Sequence, residues 1–283
     1  MRERALFNLG FWEYPAFAVF GLVVGTYGTL IGLGGGFIVV PVLLLVYHAT
    51  PQDAVGTSLA VVFLNAASGS ISYLRQKRVD LKSGVRFGLA TVPGALIGAY
   101  LSTYLTSRLF SLVFGMLLVG VSVSLLWRPE SRQNPGADPP ALGKGLVTRM
   151  LVDADGHKFV YAFDERIGIV LSFFVGFLSS ILGVGGGIIH VPALILLLSF
   201  PAHVATATSH FILVISTGVG VASHLTLGQV MLGPAISMGI GAMVGAQLGA
   251  ARSRRLRGKW IGRLLSRARR WVGVRLLMAA VWR

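Results

Sequence analysis

The chain has no cysteine among its 283 residues. That excludes disulfides, thiolate nucleophiles and cysteine metal ligands. Charge is also scarce. Asp, Glu, Lys and Arg together make up 12% of the residues, whereas an ordinary soluble domain carries about 25%. Acids are the scarcest, 10 against 25 bases, and none follows Glu165. Glu13, Asp53 and Asp80 fall at or near predicted helix ends, so no carboxylate sits in the middle of an apolar run. Sodium sites and carboxylate proton relays usually need one there. No serine, histidine and carboxylate set can assemble inside such segments, and no glycine cluster is followed by the Lys-Ser/Thr of a phosphate loop. An enzyme is the least supported class. Neither a cofactor nor a metal is expected, because the histidine spacings of 13, 7 and 14 at His190, His203, His210 and His224 form no ligand signature.

What is present is apolar sequence. Hydrophobic residues make up 54% of the chain and come in runs of roughly 18 or more, long enough to cross a bilayer as helix. The composition predicts an all-α polytopic membrane protein. The net charge of +15 invites a nucleic-acid reading, but the bases cluster in loops at 75–86, 128–166 and 252–270. That is the positive-inside pattern of cytoplasmic loops. The expected partners are therefore a small anionic substrate and anionic lipids at the basic loops, with no nucleic acid. A homodimer is compatible with the sequence. Residues 1–11 lack a small-residue cleavage site, which reads against a removed signal peptide.

The most informative feature is a duplication. Gly32-Leu33-Gly34-Gly35-Gly36 leads into Val40-Pro41, and 151 positions later Gly183-Val184-Gly185-Gly186-Gly187 leads into Val191-Pro192. Shifting residues 25–99 by 151 gives about 23 identities in 75, the mark of an internal repeat. Each glycine tract interrupts an apolar stretch. The pattern predicts helical segments at 14–31, 37–47, 54–74, 84–105 and 109–127, and again at 167–182, 188–199, 205–225 and 231–251. Between the copies, two β-prone runs at 147–152 and 158–163 flank an Asp-Gly turn and predict a β-hairpin. The organisation is then a first transmembrane repeat (12–127), a polar cytoplasmic connector (128–165), a second transmembrane repeat (166–251) and a basic amphipathic C-terminal segment (252–283).

Charge sets the orientation. The loop after the third segment is basic (Arg75, Lys77, Arg78), its counterpart at 226–229 is uncharged, and the stretch after 251 is basic again. Equivalent loops on opposite sides predict inverted repeats, which place substrate near the midplane between halves. Gly34, Gly35, Gly36, Gly185, Gly186 and Gly187 are the expected anion cradle, because each tract opens a short helix whose first N–H groups and dipole favour an oxyanion. Thr57, Ser58, Thr208 and Ser209 offer hydroxyl donors one turn into the next helices, with back-bonding to a carbonyl as the competing role. Asn65 is a further candidate, matched by Ser216. His210 and His190 are the candidates for proton coupling, since histidine titrates near neutral pH. Spaced glycines such as Gly21/Gly25, Gly94/Gly98 and Gly241/Gly245 are expected to serve helix packing.

The same residues carry a family resemblance. Gly25, the two tracts with their Val-Pro pairs, Gly56-Thr57-Ser58, Gly176, Ala207-Thr208-Ser209-His210 and Gly245-Ala246-Gln247-Leu248-Gly249 resemble the sulfite exporter TauE/SafE family, part of the toluenesulfonate uptake permease superfamily. The resemblance spans roughly residues 14–260. It implies a secondary-active inner-membrane permease of a small sulfur oxyanion, sulfite or a sulfonate, working by alternating access without a soluble cofactor. A small-anion channel, a carrier of a non-sulfur organic anion, and a lipid- or partner-binding scaffold are the alternatives. One departure stands out. Where the family ends in a smooth apolar helix, residues 260–271 carry Arg263, Arg267, Arg269 and Arg270, which favours an amphipathic helix on the inner face.

Overall fold

The computed structural model of the protein describes residues 12–126 and 146–253. The expected irregular start of the connector and nearly all of the expected amphipathic C-terminal segment lie outside them. The described chain runs α1 (Glu13–Ile31), α2 (Gly36–Leu45), α3 (Pro51–Arg75), α4 (Leu81–Ser102), α5 (Ser107–Leu126), β1 (Val147–Val152), β2 (Lys158–Phe163), α6 (Glu165–Leu182), α7 (Gly187–Leu196), α8 (Ala202–Thr226) and α9 (Leu232–Ser253). Six of these helices, α1, α3, α4, α6, α8 and α9, are long and apolar enough to cross a membrane. The protein is a multi-pass membrane protein, mostly helical, with one small sheet among the described residues.

The element order repeats: α1–α4 and α6–α9 match in sequence and in length. α2 and α7 have 10 residues each, α3 and α8 25 each, and α4 and α9 22 each. The halves are interlocked. α1 packs along α9, α4 packs along α6, and α3 and α8 form the centre, touching each other and both outer pairs. Spaced glycines make the two outer crossings. A Cβ on Gly25 would collide with the backbone of Ala242, and one on Gly176 with the backbone of Thr91. Gly94, Gly98, Gly241, Gly245 and Gly249 meet facing backbones in the same way, as small residues do where membrane helices approach closely. α1 and α9 begin side by side, where Ser237 Oγ donates to the Tyr14 carbonyl. α4 and α6 begin side by side at Arg86 and Glu165, paired at 2.6 Å.

Local chemistry sets the ends. Thr50 caps α3 by accepting from the Asp53 N–H, with Pro51 in the first turn. Asp80 caps α4 by accepting from the Ser83 N–H at 3.1 Å. Such caps satisfy first-turn amides that have no helical partner. Pro41 and Pro192 lie inside α2 and α7, in the second turn of each. There the missing N–H leaves the carbonyls of Phe37 and Ile188 without their helical donor.

The hairpin forms with the expected bounds, Val147 opposite Phe163 and Val152 opposite Lys158. It clasps the loop between α3 and α4. Ala154 N–H donates to the Gln76 carbonyl at 3.0 Å, and Arg78 pairs with Asp153 and Asp155 at 3.4 and 3.5 Å. Tyr161 and Phe163 pack on Phe200, with ring centroids 4.5 and 4.9 Å apart. The connector thus ties the first half to the loop that opens α8.

Candidate functional site: two glycine tracts and two polar clusters

The tracts meet at the centre of the bundle. In each, three glycines take a left-handed backbone: Gly32, Gly34 and Gly35 at φ of 80°, 79° and 93°, and Gly183, Gly185 and Gly186 at 70°, 81° and 74°. A residue with a Cβ is strained there. Gly35 and Gly186 are the N-caps of α2 and α7, and neither helix has a side-chain cap. The fourth glycine does different work. A Cβ on Gly36 would lie 2.5 Å from the Gly183 carbonyl oxygen, and one on Gly187 2.5 Å from the Gly32 carbonyl oxygen. The positive start of each short helix therefore faces the carbonyl end of the long helix from the opposite half, an attractive arrangement of dipoles.

The four expected hydroxyls are engaged by backbone, again in matching pairs. Met231 N–H donates to Thr57 Oγ1 at 2.9 Å, and Asp80 N–H donates to Thr208 Oγ1 at 3.0 Å. Each threonine thereby fixes the start of α9 or α4. Ser58 Oγ donates to the Gly183 carbonyl at 2.7 Å, with the Gly36 carbonyl at 3.4 Å. Ser209 Oγ donates to the Gly32 carbonyl at 3.4 Å. All four side chains are buried.

Beside the first tract lies a joined polar cluster. Thr29 Oγ1 donates to Asn65 Oδ1 at 3.0 Å, and Asn65 Nδ2 donates to the Gly34 carbonyl at 3.0 Å. His210 Nε2 sits 3.1 Å from Thr29 Oγ1. The single threonine proton goes to Asn65, so His210 donates through Nε2. Its Nδ1 makes no hydrogen bond. Tyr73 OH donates to the Thr29 carbonyl at 2.7 Å. His190 is elsewhere. Its Nε2 stands 3.1 Å from Ser172 Oγ, which donates to the Gly168 carbonyl. Of the two candidate histidines, only His210 has its ring linked to a tract, through Thr29 and Asn65. His190 meets the second tract through its backbone N–H, which donates to the Gly186 carbonyl at 2.9 Å.

The equivalent positions of the second half are filled differently, and the sequence reading passed over most of them. The partners of Thr29, Asn65, Tyr73 and His210 under the 151-residue shift are Ser180, Ser216, His224 and Leu59. His224 Nε2 stands 3.1 Å from the Ser180 carbonyl, repeating the Tyr73 contact. The hydroxyls of Ser179, Ser180 and Ser216 make no hydrogen bond.

Asp153, Asp155 and His157 in the hairpin turn place ligand-type atoms within 4.8 Å of one another. The Arg78 guanidinium already supplies the cation. Burial works against ionisation of Asp153, but the backbone N–H groups of His157 and Asp155, the His157 ring and Arg78 outweigh it. The carboxyl is held below the usual carboxylate range.

A bundle of membrane-length helices around two buried, helix-opening glycine tracts is the build of a membrane transporter. Comparison with known proteins gives the family. The model for "Sulfite exporter TauE/SafE" matches residues 17–276, and the chain belongs to that family. It is 38% identical over 277 residues to the probable membrane transporter protein YunE of Bacillus subtilis, covering 95% of this chain and 99% of that one. It is 25% identical over 270 residues to a probable membrane transporter protein of Methanocaldococcus jannaschii, covering 89% and 91%. A third relative, the probable membrane transporter protein ORF9 of a Sinorhizobium species, is 26% identical over 250 residues, covering 88% and 85%. No solved structure matches the chain.

Proposed function

We propose that this membrane transporter moves a small sulfur oxyanion, sulfite or a sulfonate, by alternating access between inverted halves. The observation that carries the reading is the mutual closure of the tracts, with Gly36 against the Gly183 carbonyl and Gly187 against the Gly32 carbonyl. Substrate oxygens would exchange with those carbonyls at the starts of α2 and α7 as the halves part. Ser58 and Ser209 would turn from the carbonyls to the substrate, and Thr57 and Thr208 would keep α9 and α4 in register. The inversion is supported by the ends of the helices: α9 begins beside the start of α3, where Met231 meets Thr57, while its counterpart α4 begins just past the end of α3. The sulfur chemistry rests on the family name. If transport is proton-coupled, His210, which reaches the first tract through Thr29 and Asn65, is the group on which coupling would depend.

The test is labelled sulfite uptake into proteoliposomes. Gly36 and Gly187 lie outside the left-handed region, so Gly36→Ala and Gly187→Ala add a Cβ at the contact between tracts without local backbone strain. Both should bring uptake close to background while the protein remains folded in detergent. Uptake at the unsubstituted rate in both variants would remove the tracts from the mechanism.

A further inference from the structure

The two halves share one scaffold and differ in what fills it. At the first tract, Thr29, Asn65 and His210 are hydrogen-bonded to one another and, through Asn65, to the Gly34 carbonyl, while His210 Nδ1 and, beside Gly32, Thr206 Oγ1 have no partner. At the second, a hydroxyl replaces the Asn65 carboxamide (Ser216), and leucine replaces the imidazole (Leu59). The exchange is visible at one pair of glycines. A Cβ on Gly69 would meet the His210 ring and Thr29 Cγ2, whereas one on Gly220 would meet Leu59 Cδ1 and, at 3.4 Å, Ser180 Oγ. Ser179 replaces Gly28, and its Oγ lies 3.6 Å from where a Gly186 Cβ would stand. That puts a hydroxyl at the uncapped start of α7.

The result is three hydroxyls, on Ser179, Ser180 and Ser216, that are 2%, 1% and 4% exposed and make no hydrogen bond. Serines in membrane helices usually bond back to a carbonyl in the preceding turn. A buried polar group with no partner is costly. Ser179 Oγ stands at the start of α7, Ser180 on the same helix faces Gly220 of α8, and Ser216 lies one turn before Gly220. Three open hydroxyls on the neighbouring α6 and α8 therefore call for a ligand. Hydroxyl donors at the positive end of a helix select an acceptor-rich anion.

We propose that Ser179, Ser180 and Ser216, with the N-terminus of α7, form the subsite that binds the oxyanion, and that Thr29 and Asn65 at the matching positions of the first half are its structural counterpart and bind none. The ligand class is a small oxyanion with at least two free oxygens, of about the size of the carboxamide that fills the first half. The proposal rests on the reading that the chain carries such an anion.

The experiment measures sulfite, sulfoacetate and acetate binding to the purified full chain in nanodiscs by calorimetry, beside uptake in proteoliposomes. Ser216→Asn rebuilds the first half's arrangement in the second. It should weaken oxyanion binding by about tenfold or more, the scale of one lost charge-assisted hydrogen bond, and leave the melting temperature unchanged or raised. The double variant Ser180→Ala, Ser216→Ala keeps the space and removes two donors. It should weaken binding further, and it decides the matter if Ser216→Asn fails to fold. Asn65→Ser should leave the affinity of the folded fraction unchanged. Unaltered affinity in the serine variants, with unsubstituted protein that binds and transports, overturns the subsite while sparing the transporter reading. Unsubstituted protein that neither binds nor moves any of the three anions overturns both.

Discussion

At the first glycine tract Thr29 and Asn65 are hydrogen-bonded to each other, whereas Ser180 and Ser216 at the matching positions of the second make no side-chain hydrogen bond. Thr29, Asn65 and the Gly34 carbonyl close a chain of hydrogen bonds, while Ser179, Ser180 and Ser216 leave theirs open. The scaffold around both is the same, down to the matching threonine contacts at the starts of α9 and α4. Duplication followed by unequal filling separates two jobs. One copy keeps a hydrogen-bonded polar lock that holds α1, α3 and α8 together. The other offers donors to something that comes and goes. A second contrast runs parallel to it. The α3–α4 loop is clasped by the hairpin through Gln76 and Arg78, whereas among the described residues the equivalent turn after α8 is held by the Met231 contact with Thr57 and by short-range ones, such as Gln229 N–H to the His224 carbonyl at 2.8 Å.

The comparison breaks most readily at Asn65. Asn65→Ala strands the Thr29 hydroxyl and the Gly34 carbonyl in a dry interior and should cost about 2–3 kcal/mol. Ser216→Ala removes a hydroxyl that has no partner and should cost close to nothing or stabilise. Thermal melts of the two variants in the same detergent check the difference. Equal losses would mean that the halves are energetically alike and that the open cluster has partners of its own.

A smaller effect sharpens the contrast between the loops. The Asp153 carboxyl is held below its ordinary range, so its contribution to docking the hairpin is fully present above the unfolded value of about 3.9. It is lost as pH falls through the depressed folded value. Hydrogen exchange at the Ala154 amide should therefore stay slow from neutral pH down to about 5 and quicken, relative to its intrinsic rate, only below about 4. Asp153→Asn should remove that pH dependence. Loosening between pH 7 and 5 would place the controlling group elsewhere.

Much of this architecture was legible in the sequence, because the membrane leaves few choices. α1 ends at Ile31 and α6 at Leu182, where the tracts predict, and the hairpin follows from its two β-prone runs and the Asp-Gly turn. Starts were harder. α3 begins at Pro51 rather than 54, because Thr50-Pro51 is a capped helix start and not only a break. α4 begins at Leu81 rather than 84, because the Asp80 side chain reaches forward over the first turn and accepts from the Ser83 N–H. Contacts across elements were the least legible. Nothing in the sequence says that the Thr57 and Thr208 hydroxyls accept from the amides that open α9 and α4. The open serines, however, stand in the same register as Thr29 and Asn65. Reading the 151-residue shift for differences as well as identities would have exposed them.

Counterflow tests the central claim most directly. Proteoliposomes preloaded with unlabelled sulfite are diluted into a trace of labelled sulfite. A carrier whose two tracts take turns closing on one another predicts a transient accumulation of label above its equilibrium level, saturating with internal sulfite and abolished by Gly187→Ala. Label that rises only to equilibrium, at a rate linear in concentration and indifferent to the internal load, would contradict alternating access and point to a pore.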